Sequence, residues 1–384
     1  MMRLFTMIRI ISIFLFLLLL SGCWSSTNLA NQHYVTTLGL DYDGETYYIY
    51  AQIIRFENVA RLEGQGSSSK ENTYVGKGSG PSVNMAAADL YSSAQVRIDW
   101  GQTRAIIVSH RALQTLDSEI VERVYRFPEN RYNTWLYVTE DSIEEIMLTN
   151  SFYERTSLFS ILHMPANTFR QYSTIPPIRM FKYLSYLNEP DRIIQVPCIG
   201  FNEKSWKSNE KQLKLLEVTG GYFETTAGVK RTFTKEQLKG MRWMDPRMSR
   251  TMLLLKEEQK IYGVLTIEIN KIKRKVKLVN GEPKFVIKAT YKGSLNEYIE
   301  EIEYDNMIAL AEGLIKEEIM QMYKVGVEEE IDLFNLMHYF RLRYPTAWKN
   351  LTKNGEQFIL TEQSIERLDI EVVVPYNGKY KRQI

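Results

Sequence analysis

Six side chains carry most of the reactive chemistry in this sequence: Cys23, Cys198, His33, His110, His163 and His338. A zinc site needs such residues at ligand spacing, and a thiol nucleophile needs a base beside it. No two histidines lie at ligand spacing on one element, and no cysteine accompanies them. A Gly-x-Ser-x-Gly elbow and a His-Glu-x-x-His helix are likewise missing from the sequence. The Gly-rich stretch holding Gly64, Gly66, Gly76, Gly78 and Gly80 fails the phosphate-cradling template, because Glu71 stands five before Gly76 and Gly78 follows Lys77. The acidic run Glu297, Glu300, Glu301, Glu303 and Asp305 precedes a helix, where it complements the helix dipole and faces water. No metal, cofactor or catalytic residue is therefore expected, and the chain is not read as an enzyme.

Cys23 is the exception. It follows Leu20-Ser21-Gly22 and an apolar core of 11 residues over 10–20, with Arg3 and Arg9 and no acid ahead of it. That core has signal-peptide length and is too short for a membrane-spanning helix of about 20 residues. Small residues before a cut and a cysteine after it resemble the bacterial lipobox, in which the thiol accepts a diacylglyceryl group. Residues 1–22 are expected to be a lipoprotein signal peptide, Cys23 the lipidation site and residues 23–33 a tether. Two acyl chains, at about 0.8 kcal/mol per buried CH2, suffice for a stable anchor. Cys198 then has no partner, so no disulfide is expected; within 192–199 it reads as a small hydrophobe of a buried strand.

Composition sets the frame. The 384 residues are 44% hydrophobic and 24% charged, enough for two or three folded domains. Removing residues 1–22 leaves 46 charges of each sign, so no global attraction to nucleic acid exists. Of the five cations in Lys271–Lys277, most fall on one strand face, as on an edge strand blunted against aggregation or on a surface meeting lipid headgroups or an acidic partner.

The elements that hold these residues read as a mixture. Strands at 34–40 and 45–55 flank the turn Asp41-Tyr42-Asp43-Gly44. Residues 56–81 read as a Gly/Ser-rich loop, either mobile or a binding element. Pro81-Ser82 opens a helix to about Arg97, with strands near 103–108 and 131–139 and a helix near 118–125. Asp141 and Glu144 suggest a capping box. Helical segments near 152–162 and 178–187 precede a strand at 192–199. The polar stretch 200–212 is taken as a domain boundary, giving domains 34–200, which may subdivide, and 213–384. Beyond it, Gly220-Gly221 suggests a hairpin, Thr234 caps a short helix, and strands fall at 251–256, 261–279 and 283–293. Asn280-Gly281 is the strongest hairpin signal. Asp305 is expected to cap a helix to about Lys324, with Ile308, Ala311, Ile315, Ile319 and Met322 on one face. A helix over 333–343 and a strand over 368–374 follow. The order lacks a sustained βαβ rhythm, so the fold class is α+β: two to three packed mixed domains with antiparallel-rich sheets.

Certain of these segments also resemble a family. Cys23-Trp24, Leu38-Gly39-Leu40-Asp41, Asp99-Trp100-Gly101, Arg126–Asn133, Val196–Gly200, Gly220–Phe223, Gly293–Glu297, Asp332-Leu333-Phe334 and Tyr344-Pro345-x-x-Trp348-Lys349 are similar, in order and spacing, to the Ger(x)C spore germination lipoproteins. The sequence departs at Ser25-Ser26-Thr27, where the family carries charge, and at Asn335 and Met337, where it has glycines. The resemblance implies a non-enzymatic C subunit of a nutrient germinant receptor, lipid-anchored at the outer face of the spore inner membrane. Its implied partners are two integral-membrane subunits, a large A-type and a transporter-like B-type. An extracytoplasmic solute-binding lipoprotein is the alternative.

Overall fold

The computed structural model describes Met7, Arg9 and residues 32–53, 73–116, 131–149, 157–209 and 211–376. The expected signal peptide apart from Met7 and Arg9, Cys23, most of the tether, loop residues 56–72, the helix near 118–125 and residues 126–130 lie outside them.

The chain opens with β1 (Gln32–Tyr42) and β2 (Tyr47–Ile53), an antiparallel hairpin as expected, though β1 starts inside the predicted tether. Asp43 makes the turn: its Oδ1 accepts from the Glu45 and Thr46 amides at 3.1 and 2.9 Å, and Gly44 has φ +107°. Residues 74–80 are not loop but strand β3 (Tyr74–Gly80), paired with β2. Its glycines serve helix α1 (Val83–Ser93), capped by Ser82, which packs across the strand. A Cβ on Gly78 would sit 2.1 Å from the Ala86 carbonyl oxygen, and one on Gly80 2.8 Å from the Ala86 nitrogen. Gly78→Ala is therefore expected to lower stability by about 2–3 kcal/mol through overpacking. Gly313→Ala, in open space within a long helix, should raise stability by about 0.5–1 kcal/mol. Urea midpoints of the two variants give the comparison; equal midpoints would dismiss the close-approach argument.

The chain then lays down β4 (Arg97–Asp99), β5 (Ala105–Ser109), α2 (His110–Leu116), β6 (Trp135–Thr139) and α3 (Ile143–Leu148). The helix expected to reach Arg97 stops earlier because β4 pairs with β1. Ser142 rather than Asp141 caps α3. Of the helix expected near 152–162, residues 152–156 lie outside the described residues and the described part begins with a 3-10 turn (Ser157–Phe159). It is followed by α4 (Pro165–Gln171), β7 (Ile178–Arg179), α5 (Met180–Leu187) and β8 (Ile194–Asn202). A two-residue pair, β9 (Lys207–Ser208) and β10 (Lys211–Gln212), occupies the polar stretch. The next strand, β11 (Leu215–Glu224), runs straight through Gly220-Gly221 and pairs with β8, so the expected hairpin is a strand interior. A Cβ on Gly220 would meet the Phe233 carbonyl at 2.2 Å, which is why glycine stands beside β12 (Lys230–Thr234).

The resulting main path is β12-β11-β8-β6-β5-β1-β2-β3, with β1, β5, β6 and β8 parallel and antiparallel hairpins at each end. One face packs on α1, α2 and α5 through Leu40, Ile106, Leu113 and Tyr183. The other packs on α3 through Ile107, Tyr137, Ile146 and Met147.

The second sheet is β13 (Thr251–Glu257), β14 (Lys260–Val279), β15 (Glu282–Tyr298) and β16 (Ile365–Tyr376), in that order. Asn280 and Gly281, at φ +50° and +84°, close the β14–β15 hairpin as expected. β16 returns parallel to β15. Helix α7 (Tyr304–Glu328) covers the sheet with Ala311, Ile315, Ile319 and Met322 buried. No side chain caps it; Glu303, not Asp305, flanks its start. After α8 (Leu336–Arg343), Pro345 opens α9 (Pro345–Leu351), since proline suits a first helical turn. Short helix α6 (Met241–Met244) joins the sheets, and Phe223, Phe233 and Trp243 share one core with β13–β16. Multiple mixed sheets and helices make the protein α+β, as the sequence predicted.

Candidate functional site at the carboxyl ends of the parallel strands

β1, β5 and β6 end side by side, and the residues just past them form a polar cleft of about 520 Å³. A carboxylate at the end of an apolar strand must find a cation or stay in water. Asp41 finds Arg111, which directly follows the β5–α2 junction: Nε donates to Oδ1 at 2.7 Å and Nη2 donates to Oδ2. The Ser109 hydroxyl adds a 2.5 Å bond to Oδ1, and the Tyr42 amide one at 2.8 Å. Burial pushes the Asp41 carboxyl up, but the bonds from Arg111 and Ser109 outweigh it and hold it below the usual range. His110 faces the same cleft, 3.7 Å from Glu140 and 3.0 Å from the Thr232 hydroxyl. The arrangement fixes charge and shape. Asp41 Oδ1 accepts from Arg111, Ser109 and Tyr42 and its Oδ2 from Arg111, and the Ser109 hydroxyl donates to an acid rather than to a base.

The residues singled out by chemistry are spread over separate elements. His33 is on β1; His163 meets the Thr37 hydroxyl at 2.9 Å; His338 lies 3.4 Å from the Pro190 carbonyl. Cys198 is buried in β8, and burial pushes its thiol up to about 12. Among the described residues no three His, Cys, Asp or Glu side chains are placed to hold a metal ion. Cys23 lies outside the described residues.

A second cleft, of about 350 Å³, opens between α4 and the β8–β11 pair. Tyr137, Phe159, Phe169 and Tyr172 wall it, and the Lys235–Glu217 ion pair borders it. The buried Ser160 hydroxyl beside it has no hydrogen-bond partner among the described residues.

Sequence reasoning did not find Arg111 or Ser109. Their signal was present: a Ser-His-Arg triplet closing an apolar strand puts donors where a neighbouring strand end holds an acid.

Several segments that the family shares have visible structural duties. The Gly101 amide donates to Asp99 Oδ1 at 2.8 Å, and Trp100 Nε1 donates to the Tyr91 hydroxyl at 2.8 Å. Trp348 Nε1, on α9, donates to Asp191 in the turn before β8. Residues 25–200 match the profile described as "Spore germination protein N-terminal domain", and residues 223–376 match "Spore germination B3/ GerAC like, C-terminal". "Spore germination protein A3" of Bacillus subtilis (strain 168) is 22% identical over 374 residues, covering 94% of this chain and 95% of that protein. "Putative spore germination protein YfkR" of the same organism is 23% identical over 180 residues, and the match spans less than half of either protein (45% of this chain, 44% of that one). The solved structure titled "Crystal Structure of the GerBC protein" superposes with a TM-score of 0.52 at 14% identity, over 88% of this chain and 96% of that one, which is a likeness of fold. Two family profiles in tandem and a relative aligned almost end to end place this chain in the Ger(x)C family of spore germination proteins.

Proposed function

We propose that the protein is the C subunit of a nutrient germinant receptor, acting by contact with large A-type and transporter-like B-type membrane subunits and not by catalysis. The tandem family match over 25–200 and 223–376 is the observation that carries this reading. The anchor is Cys23, lipidated before residues 1–22 are removed, which holds the protein at the outer face of the spore inner membrane. No helix among the described residues is long and apolar enough to cross a membrane, which agrees with attachment through a lipid. The chemistry of recognition falls to surfaces such as the Asp41–Arg111 cleft.

Deleting the gene should abolish germination with one class of nutrient and leave the response to non-nutrient triggers intact. Cys23→Ala should leave an unprocessed precursor that lacks the acyl group and is lost from mature membranes. Mass spectrometry finding no diacyl group on wild-type Cys23 would sink the anchor; a deletion strain with normal nutrient germination would sink the receptor role.

A solute-binding role is the second reading, and the aromatic cleft beside Ser160 is the observation in its favour. Calorimetry of the protein with the nutrient that triggers germination separates the two: binding heat that disappears in Phe169→Ala would support it.

A further inference from the structure

Strand alternation sorts the five cations of Lys271–Lys277. The four lysines are exposed, whereas Arg274 shares the half-buried face of Ile272 and Val276. There it reaches a cleft of about 380 Å³ between the two sheets. Arg192 from the turn before β8, Lys182 on α5 and Arg247 after α6 line the same cleft.

Little around these cations neutralises them. Asp245, the acid lining the cleft, is engaged by Arg247 through bonds of 2.9 and 2.6 Å. Arg274 makes a bond of 3.3 Å to the Met244 carbonyl. The Nε atoms of both Arg192 and Arg274 are buried with no hydrogen-bond partner among the described residues. Burial pushes the Arg274 guanidinium down, and the like charge of Arg192 adds to that push, offsetting the pull of Asp332 and Asp245. Like charges whose buried donors lack partners are costly even with Asp332 and Asp245 nearby, and an anion in the cleft would offset that cost. Guanidinium forks converging on a cavity suit the planar or tetrahedral oxygens of an oxyanion. The Tyr186 ring, 4.4 Å from the Arg192 guanidinium, and Phe334 add an apolar wall for an organic body.

We propose that this cleft binds a small oxyanion, a carboxylate or phosphate group held jointly by Arg192 and Arg274 with Lys182 at its border. Arg192 leads into the first sheet and Arg274 lies on the second, so the bound anion ties the two together. The site stands whether or not the receptor reading does.

The full-length lipoprotein in detergent is titrated by calorimetry with inorganic phosphate and with malonate at fixed ionic strength, with chloride as the control anion. Saturable binding of phosphate or malonate, one per chain, and a raised melting temperature are expected; the tighter of the two names the preferred chemistry. Arg274→Gln should weaken binding about tenfold or more, as loss of a charge-assisted bond does. Lys182→Gln, nearer the surface, should weaken it severalfold while its melting temperature in chloride stays that of the parent. Absence of saturable binding, chloride binding as tightly as both probes, or equal binding by parent and variants overturns the proposal.

Discussion

Trp243→Ala should cost about 3–5 kcal/mol, the largest loss expected from any single truncation in the shared core. The indole is fully buried, and its ring meets Tyr291 edge-on with centroids 5.4 Å apart. Its Nε1 donates to Glu318 on α7 at 2.6 Å, and Arg242 grips the same carboxylate at 2.7 and 2.8 Å. The Tyr291 hydroxyl closes the arrangement on the Trp243 carbonyl at 2.8 Å. Truncation therefore opens a cavity where α6, α7 and β15 meet, and it removes one of the donors to a part-buried carboxylate. Trp243→Phe keeps most of the volume and loses the donor, so a smaller cost of about 1–2 kcal/mol is expected. Urea unfolding of parent and variants measures both. An alanine variant within 1 kcal/mol of the parent would mean the sheets are not joined through this residue.

The second large effect is on pH. Asp332 is buried at the start of α8, where its Oδ2 accepts from the Met337 amide at 2.6 Å. Its Oδ1 has no hydrogen-bond partner among the described residues. Burial pushes this carboxyl up to about 6, against the bonds from the Leu336, Met337 and Phe334 amides. Its value in the unfolded chain is near 3.8. Between the two, the folded protein holds a proton that the unfolded chain has released. The stability this carboxyl contributes is complete below about pH 4 and is lost as pH rises through about 6. About two pKa units correspond to about 3 kcal/mol. Burial also raises Asp191, which adds a decline of the same sign, so the comparison must isolate Asp332. Asp332→Asn should flatten the fall in unfolding free energy between pH 4.5 and 7 relative to the parent. Identical slopes for the two proteins would show that Asp332 does not titrate in that window.

Signals confined to a few neighbouring residues were readable. Asn280-Gly281 announces its own hairpin, because only the positive φ values of a tight turn call for that pair. The apolar spacing of α7 likewise names its buried face. What escaped depends on who comes close in space. Gly76, Gly78 and Gly80 look like loop glycines until α1 lies on them, and Gly220 looks like a turn until Phe233 passes within reach. The parallel return of β16 to β15 has no local mark, since the pairing Phe285 with Ile365 spans the whole of α7, α8 and α9. The candidate site was half legible. Asp41 stood out in a shared segment, but its cation comes 70 residues later. Arg274 could have been separated from its lysine neighbours by alternation alone, yet its companion Arg192 lies in another sheet's approach.

The start of β1 at Gln32 sets a leash. If Cys23 carries the lipid as proposed, eight residues separate the anchor from β1, and even fully stretched they span about 30 Å. The first residue of β1 could then lie no farther than that from the headgroups. The Asp41 end of the same strand stands about 30 Å further along it. Arg111, beside that end, would then be reachable by a membrane partner within about 60 Å of the bilayer.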